Sequence, residues 1–386
     1  MIKISDSIKY TGVNDYDVDL FEGQYILENG MAYNSYVILD EKTALLDTAD
    51  KIAVDRWLEN IDEVLGDVVP DYLIVHHLEP DHSFGIQAAC DKFPNMQLVM
   101  SANAKRMLPQ FVDVDLDRVV TVAEGDKLEL GAHTLNFVAA PMVHWPEVLV
   151  SYESSEKVLF SADAFGKFGT TDADEGWSCE ARRYYFNIVG KFGAQVQSLL
   201  KKAAGLDIKT ICPLHGPILT DTIPEVLKLY NTWSSYEPED RGVFIACASI
   251  HGNTLKAAEK LKEILEEKGC PRVALADITR DDIAECVEDG FRHSVLVCMA
   301  SSYDGGVFAP MDDYLNHLAH KAFQNRAVAL VENASWAPCA IRAMKAHFEN
   351  MKNIKLLDKT VSIRTRMTDE NVEQLSALAD EIMANI

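Results

Sequence analysis

The sequence predicts an α/β protein in two successive layouts, stacked α/β/β/α layers over residues 1–240 and an open, doubly wound parallel sheet over residues 241–386. Two observations predict it. In the first stretch, short apolar runs separated by Gly, Asn and Asp mix hairpins with strand–helix units, a pattern of layered sheets. From about Arg241 the pattern becomes regular: apolar runs at 243–247, 273–276, 295–300 and 327–331, and a fifth within 354–363, alternate with helix-like segments. At about 150 residues per domain, 386 residues make two or three domains. The polar stretch 234–240 is the natural linker.

Taken in order, 25–27, 35–39 and 43–46 read as strands, with a turn at 28–31. The apolar run 71–75 reads as a buried strand, followed by a polar loop and a helix from about Ser83. Further strands are expected at 97–100, 135–139, 148–152, 158–160 and 208–211. In the second half the clearest helix places Leu255, Ala258, Leu261 and Leu265 at helical spacing, and Gly269 suits its C-terminal cap. There is no internal repeat or low-complexity stretch.

Composition bounds the function. The chain is 48% hydrophobic, so it is globular, and its 60 acidic against 36 basic residues give a formal charge of −24. A polyanion repels nucleic acid and anionic membrane; the charge suits a basic or metal-bearing partner, or simply solubility, the commoner meaning of net charge. The eight cysteines are scattered with no C-x-x-C pair, against a zinc knuckle, a thiolate iron site or a disulfide framework. The first residues have no apolar core of a signal peptide, and no apolar run approaches the length of a membrane span. A reduced cytoplasm is the expected compartment.

The densest ligand run is His76-His77-Leu78-Glu79-Pro80-Asp81-His82, directly after a strand. His144, Asp163 and His215 each follow another expected strand, and groups at strand ends are held yet open to solvent. A lone histidine after a strand is usually a cap or a satisfied core residue, and His76 and His133 suit that reading. Four strand ends presenting imidazole or carboxylate to one sheet edge do not. Histidines and carboxylates without cysteine fit two divalent ions rather than one structural zinc, and suit iron or manganese. A carboxylate such as Asp163 can bridge the two.

In the second half, Ala248-Ser249-Ile250-His251-Gly252-Asn253-Thr254 follows a strand and opens a helix. Hydroxyls, backbone N–H groups and a helix N-terminus form an anion site. Without Gly-Lys-Ser/Thr or G-x-G-x-x-G, a monophosphate held by neutral donors fits better than a triphosphate or dinucleotide. The sheet's switch point sets two more loops beside it, 301–306 and 333–339. Each carries one aromatic, Tyr303 and Trp336, able to sandwich a flat ring, which points to flavin mononucleotide (FMN).

At these motifs nearly the whole chain resembles the flavodiiron proteins, or A-type flavoproteins. The resemblance implies a metallo-β-lactamase-like αββα domain with a non-haem diiron site, then a flavodoxin-like domain with FMN. Hydrolytic zinc relatives use H-x-H-x-D-H, and Glu79 stands here where their second His would be. By the family pattern His77, Glu79 and His144 hold one iron, Asp81 and His215 the other, and Asp163 bridges. His82 is a ligand in some members only. Ser249, Ile250, His251, Gly252, Asn253 and Thr254 match the family's phosphate loop. Ser302, Tyr303, Asp304 and Gly305, with Ser335, Trp336 and Ala337, match its ring-flanking loops. His76 departs from the family, which usually has Asn there.

The resemblance implies reduction of dioxygen to water, of nitric oxide to nitrous oxide, or both. It implies a head-to-tail homodimer, or a dimer of such dimers, in which the flavin of one subunit serves the irons of the other. Electrons are expected from a separate rubredoxin-like donor or a reduced deazaflavin, since no such module follows Ile386. Tyr184 or Tyr185 is the expected proton donor. The competing reading is a zinc-dependent hydrolase with a fused flavodoxin-like domain, against which Glu79 argues.

Overall fold

The computed structural model describes Ile2 and residues 4–386. The chain forms two compact units. The first runs to Tyr185 and resumes over residues 194–231; the second comprises 186–193 and 232–386.

The first unit carries a six-stranded sheet, in the order Ile8–Tyr10, Tyr36–Ile38, Ala44–Leu46, Tyr72–Ile74, Gln97–Ser101 and Val119–Val122. Its first two pairings are antiparallel and the other three parallel. A five-stranded sheet runs Lys127–Glu129, Thr134–Ala139, Leu149–Glu153, Val158–Phe160 and Thr210–Cys212, antiparallel except for the last pair. Period-two alternation sends Ile38, Leu46, Ile74 and Val99 of one sheet into a shared core with Leu135, Phe137, Leu149 and Phe160 of the other. On the opposite face of the second sheet, Val138, Val150 and Leu159 meet Leu199 and Ala203 of the helix Gly193–Ala203. Beside the first sheet, the helix Val54–Leu65 buries Trp57, Ile61 and Leu65, and the Trp57 indole donates to Ser35 Oγ at 2.9 Å. This is the αββα sandwich of the metallo-β-lactamase-like fold.

The second unit is the flavodoxin-like sheet. All its main pairings are parallel, in the order Val273–Asp277, Asp240–Ala248, His293–Tyr303, Ala327–Asn333 and Lys355–Ile363. Counted along the chain, that order is 2-1-3-4-5. The predicted helix is Asn253–Glu267, and Gly269 beyond it has φ +80°, where Gly meets no Cβ penalty. Met31–Tyr33 is a strand where the sequence suggested the end of a turn, and Val119–Val122 and Lys127–Glu129 were not anticipated. No helix among the described residues is long and apolar enough to cross a membrane.

Candidate metal centre and ring-binding cleft

In the first unit four strands end in ligand-bearing loops. After Tyr72–Ile74 the chain passes His77 and Glu79 into the one-turn helix Pro80–Ser83, started by proline at its first position and carrying Asp81 and His82. His144 lies between Thr134–Ala139 and Leu149–Glu153, Asp163 follows Val158–Phe160, and His215 follows Thr210–Cys212. These three loops leave strands that run in one direction through the second sheet.

The structure brings all seven predicted ligands together, in two sets. In the first set, His144 Nε2 lies 3.0 Å from both Glu79 Oε2 and Asp163 Oδ2. His77 Nε2 is 3.3 Å from Glu79 Oε2 and 3.5 Å from Asp163 Oδ2. In the second, His215 Nε2 is 3.1 Å from His82 Nε2 and 3.3 Å from Asp81 Oδ2. Asp163 Oδ1, the other oxygen of the shared carboxylate, lies 3.2 Å from His82 Nε2 and 3.9 Å from His215 Nε2. Within each set one ligand atom per residue falls inside a 4.8 Å span.

The donor chemistry fits two cations. Both oxygens of Asp81 and Oδ1 of Asp163 are buried without a hydrogen bond, a costly state for an anion unless a cation completes it. The His77 Nδ1–H donates to Glu147 Oε1 at 2.8 Å, and the His215 Nδ1–H to the Ala32 carbonyl at 2.8 Å. Each bond fixes the tautomer and leaves Nε2 free to ligate. Asp47, Met142, Ala162 and Phe165 flank these loops at positive φ, strain held by the surrounding packing.

The second unit opens a cleft of about 510 Å³ at the carboxyl ends of its strands. Its walls come from the three predicted loops, with Ser249, Asn253 and Thr254 on one side and Tyr303 and Trp336 on the rim. Trp336 is 80% exposed and Tyr303 50%, unusual for aromatics unless a partner covers them. Of the predicted cofactor residues Gly252 alone is off the wall; at φ +83° it turns the loop, and its N–H donates to Ser249 Oγ. Ser302 Oγ accepts from the N–H groups of Cys339 and Ala340, so it also caps the helix Ala340–Phe348.

A model of the ODP family β-lactamases matches residues 31–216. An anaerobic nitric oxide reductase flavorubredoxin of Vibrio vulnificus is 26% identical over 395 residues, spanning 98% of this chain and 80% of that one. Two solved structures share the fold end to end. Rubredoxin oxygen:oxidoreductase from Desulfovibrio gigas has a TM-score of 0.91 at 24% identity, over 99% of this chain and 98% of that one. The flavodiiron protein from Giardia intestinalis has a TM-score of 0.93 at 24% identity, over 99% and 97%. Over nearly its whole length the chain is similar to flavodiiron proteins.

At this metal centre the electrostatics follow from burial opposed by close pairing. Burial lowers His82 and His144, but Asp81 and Asp163 raise the first, and Asp163 and Glu79 the second, each to about 9. Burial would raise Glu79 and Asp163, yet the imidazoles hold both well below the usual carboxylate range: His144 then His77 for Glu79, and His77 then His82 for Asp163. The carboxylates therefore stay anionic, ready for a cation. Sequence reasoning missed Glu147, whose only signal was a carboxylate three residues beyond His144. It also missed Thr365, whose hydroxyl meets Ser335 Oγ at 2.7 Å on the cleft wall.

Proposed function

We propose that this chain holds two iron ions in residues 1–240 and FMN in residues 241–386, and reduces dioxygen to water, nitric oxide to nitrous oxide, or both. The observation that carries the reading is the Asp163 carboxylate, whose two oxygens face separate ligand sets. His77, Glu79 and His144 would hold one ion and Asp81, His82 and His215 the other, with Asp163 bridging. The loops at 249–254, 302–305 and 335–337 would hold the flavin phosphate and ring.

When bound, a ferrous pair and a reduced flavin store two electrons each, matching the four that dioxygen takes and exceeding the two that couple two nitric oxide molecules. The protein's part is position and protons. His77 and His215 are oriented by Glu147 and Ala32, so the Nε2 atoms that would hold the ions are positioned before substrate arrives. Four protons are consumed per dioxygen and two per pair of nitric oxide molecules. Tyr184 is the better placed donor of the two tyrosines. Its ring centroid lies 5.7 Å from that of His215, and its buried hydroxyl has no hydrogen bond. Burial, then Asp163, Glu79 and Asp81, hold the phenol well above its ordinary value, so it keeps its proton until the site's charge changes. Tyr185 instead packs edge-on against Tyr230 at 5.1 Å.

The electron donor in this reading is a separate rubredoxin-like protein or a reduced deazaflavin. The working unit is a head-to-tail dimer, or a dimer of dimers, in the cytoplasm. The test is iron, zinc and flavin content of the anaerobically purified protein, then initial rates of dioxygen and nitric oxide consumption with reduced rubredoxin. Two irons and one FMN per chain with turnover of either gas is expected. Zinc alone without gas turnover would favour the hydrolase.

A further inference from the structure

Directly behind the first ligand set lies a hydrogen-bonded chain that the proposed chemistry does not use. Asp47 Oδ1 accepts from the His76 backbone N–H at 2.8 Å, and Oδ2 from the His76 Nδ1–H at 2.5 Å. That leaves His76 Nε2 to accept the Ser151 hydroxyl at 2.7 Å. The residue types are those of a hydrolytic triad, but the site is not one. Asp47, His76 and Ser151 are each no more than 1% exposed, and Ser151 points into the core between the sheets, out of a substrate's reach.

Position shows what the chain of bonds does. Asp47 and His76 end adjacent strands of the first sheet, while Ser151 sits inside Leu149–Glu153 of the second. The His76 carbonyl also accepts from the Leu149 N–H at 3.0 Å. One residue further on, His77 and the Leu78 N–H both meet Glu147 Oε1. The loop bearing His77 and Glu79 is thus tied across the sandwich, at four points between residues 147 and 151, to the segment that follows His144. The second set is supported elsewhere. The His82 carbonyl is held by the Thr48 N–H and hydroxyl, and His215 by Ala32.

We propose that His76, clamped between Asp47 and Ser151, is a positioning strut that sets the separation of His77 and Glu79 from His144, and so fixes the affinity of one ion position and not the other. The two irons are then supported independently and can be emptied independently. The inference rests on the two-ion reading above.

The test measures ferrous iron binding by anaerobic equilibrium dialysis, in chains that retain one ligand set. In a His215→Ala background, where the first set remains, adding Ser151→Ala should weaken iron binding about tenfold, the lower end of the effect of losing an outer support. In a His144→Ala background, where the second set remains, the same change should leave binding unchanged. His76→Asn, which keeps a side chain able to reach Asp47, is the second variant and should show the same one-sided loss if Ser151→Ala does not fold. Equal weakening in both backgrounds, or none in either, overturns the strut. Failure of the unsubstituted chain to bind two ferrous ions would instead overturn the two-ion reading itself.

Discussion

At the residue scale, the same imidazole nitrogens serve protons and metal, and the two compete. With His82 and His144 raised to about 9, each carries a proton at neutral pH in the metal-free chain, and each must lose it to ligate. Iron affinity should therefore rise with pH up to about 9, and loading at pH 7 should release at least one proton per ion, countable with a pH indicator dye. Stability of the metal-free chain should run the other way. A histidine whose folded value lies above its unfolded one near 6.5 contributes fully below 6.5, and that contribution is lost as pH rises through about 9. Thermal melting of the metal-free protein should give a lower Tm at pH 9.5 than at pH 6.5. Glu147 makes a separate prediction. Glu147→Ala leaves the His77 Nδ1–H buried without an acceptor, and should cost about 10–100-fold in iron affinity by dialysis.

At the scale of elements, the one-turn helix Pro80–Ser83 is placed by what lies beneath the next one. Gly85, which opens the helix Gly85–Lys92, admits no side chain: a Cβ there would lie 2.7 Å from Thr48 Cβ and 2.9 Å from Trp57 Cζ3. Gly85→Ala should destabilise the protein by about 1–3 kcal/mol through overpacking, read from denaturant unfolding. The same substitution should weaken the iron position that uses Asp81 and His82, because Thr48 also holds the His82 carbonyl. In the second unit, Trp336 stands on its loop with almost no contact to lose. Trp336→Ala should leave the unfolding midpoint of the flavin-free protein unchanged. It should weaken FMN binding about 2–10-fold, the worth of one aromatic face, as followed by flavin fluorescence.

At the scale of the whole molecule, the proposed head-to-tail dimer predicts that the flavin of one chain serves the irons of the other. In a head-to-tail dimer a chain lacking its metal set and a chain lacking its flavin complement each other. His215→Ala and a Ser249/Trp336 double alanine variant should each be inactive alone. Unfolded together and refolded at equal concentrations, half the dimers are mixed, each with one complete flavin–iron pair, so about a quarter of full gas consumption should return. Recovery near zero would place electron transfer within a single chain.

The residue order alone carried the strand-end placement of His77, Glu79, Asp81, His144, Asp163 and His215, and of the loops after 248, 300 and 333. Such placement is local, because an apolar run followed by a polar loop declares itself over about ten residues. The short strands Val119–Val122 and Lys127–Glu129 escaped notice because exposed and polar positions blur their alternation. Packing of the two sheets supplied the rest. Asp47 lies 29 residues from His76, and Ser151 lies 75 residues beyond it. Glu147 likewise reaches His77 across 70 residues. A common Asp, Ser or Glu carries no mark of such a partner. The contact exists because the sandwich brings two distant strands within hydrogen-bonding reach, and there leaving either group unpaired would be costly.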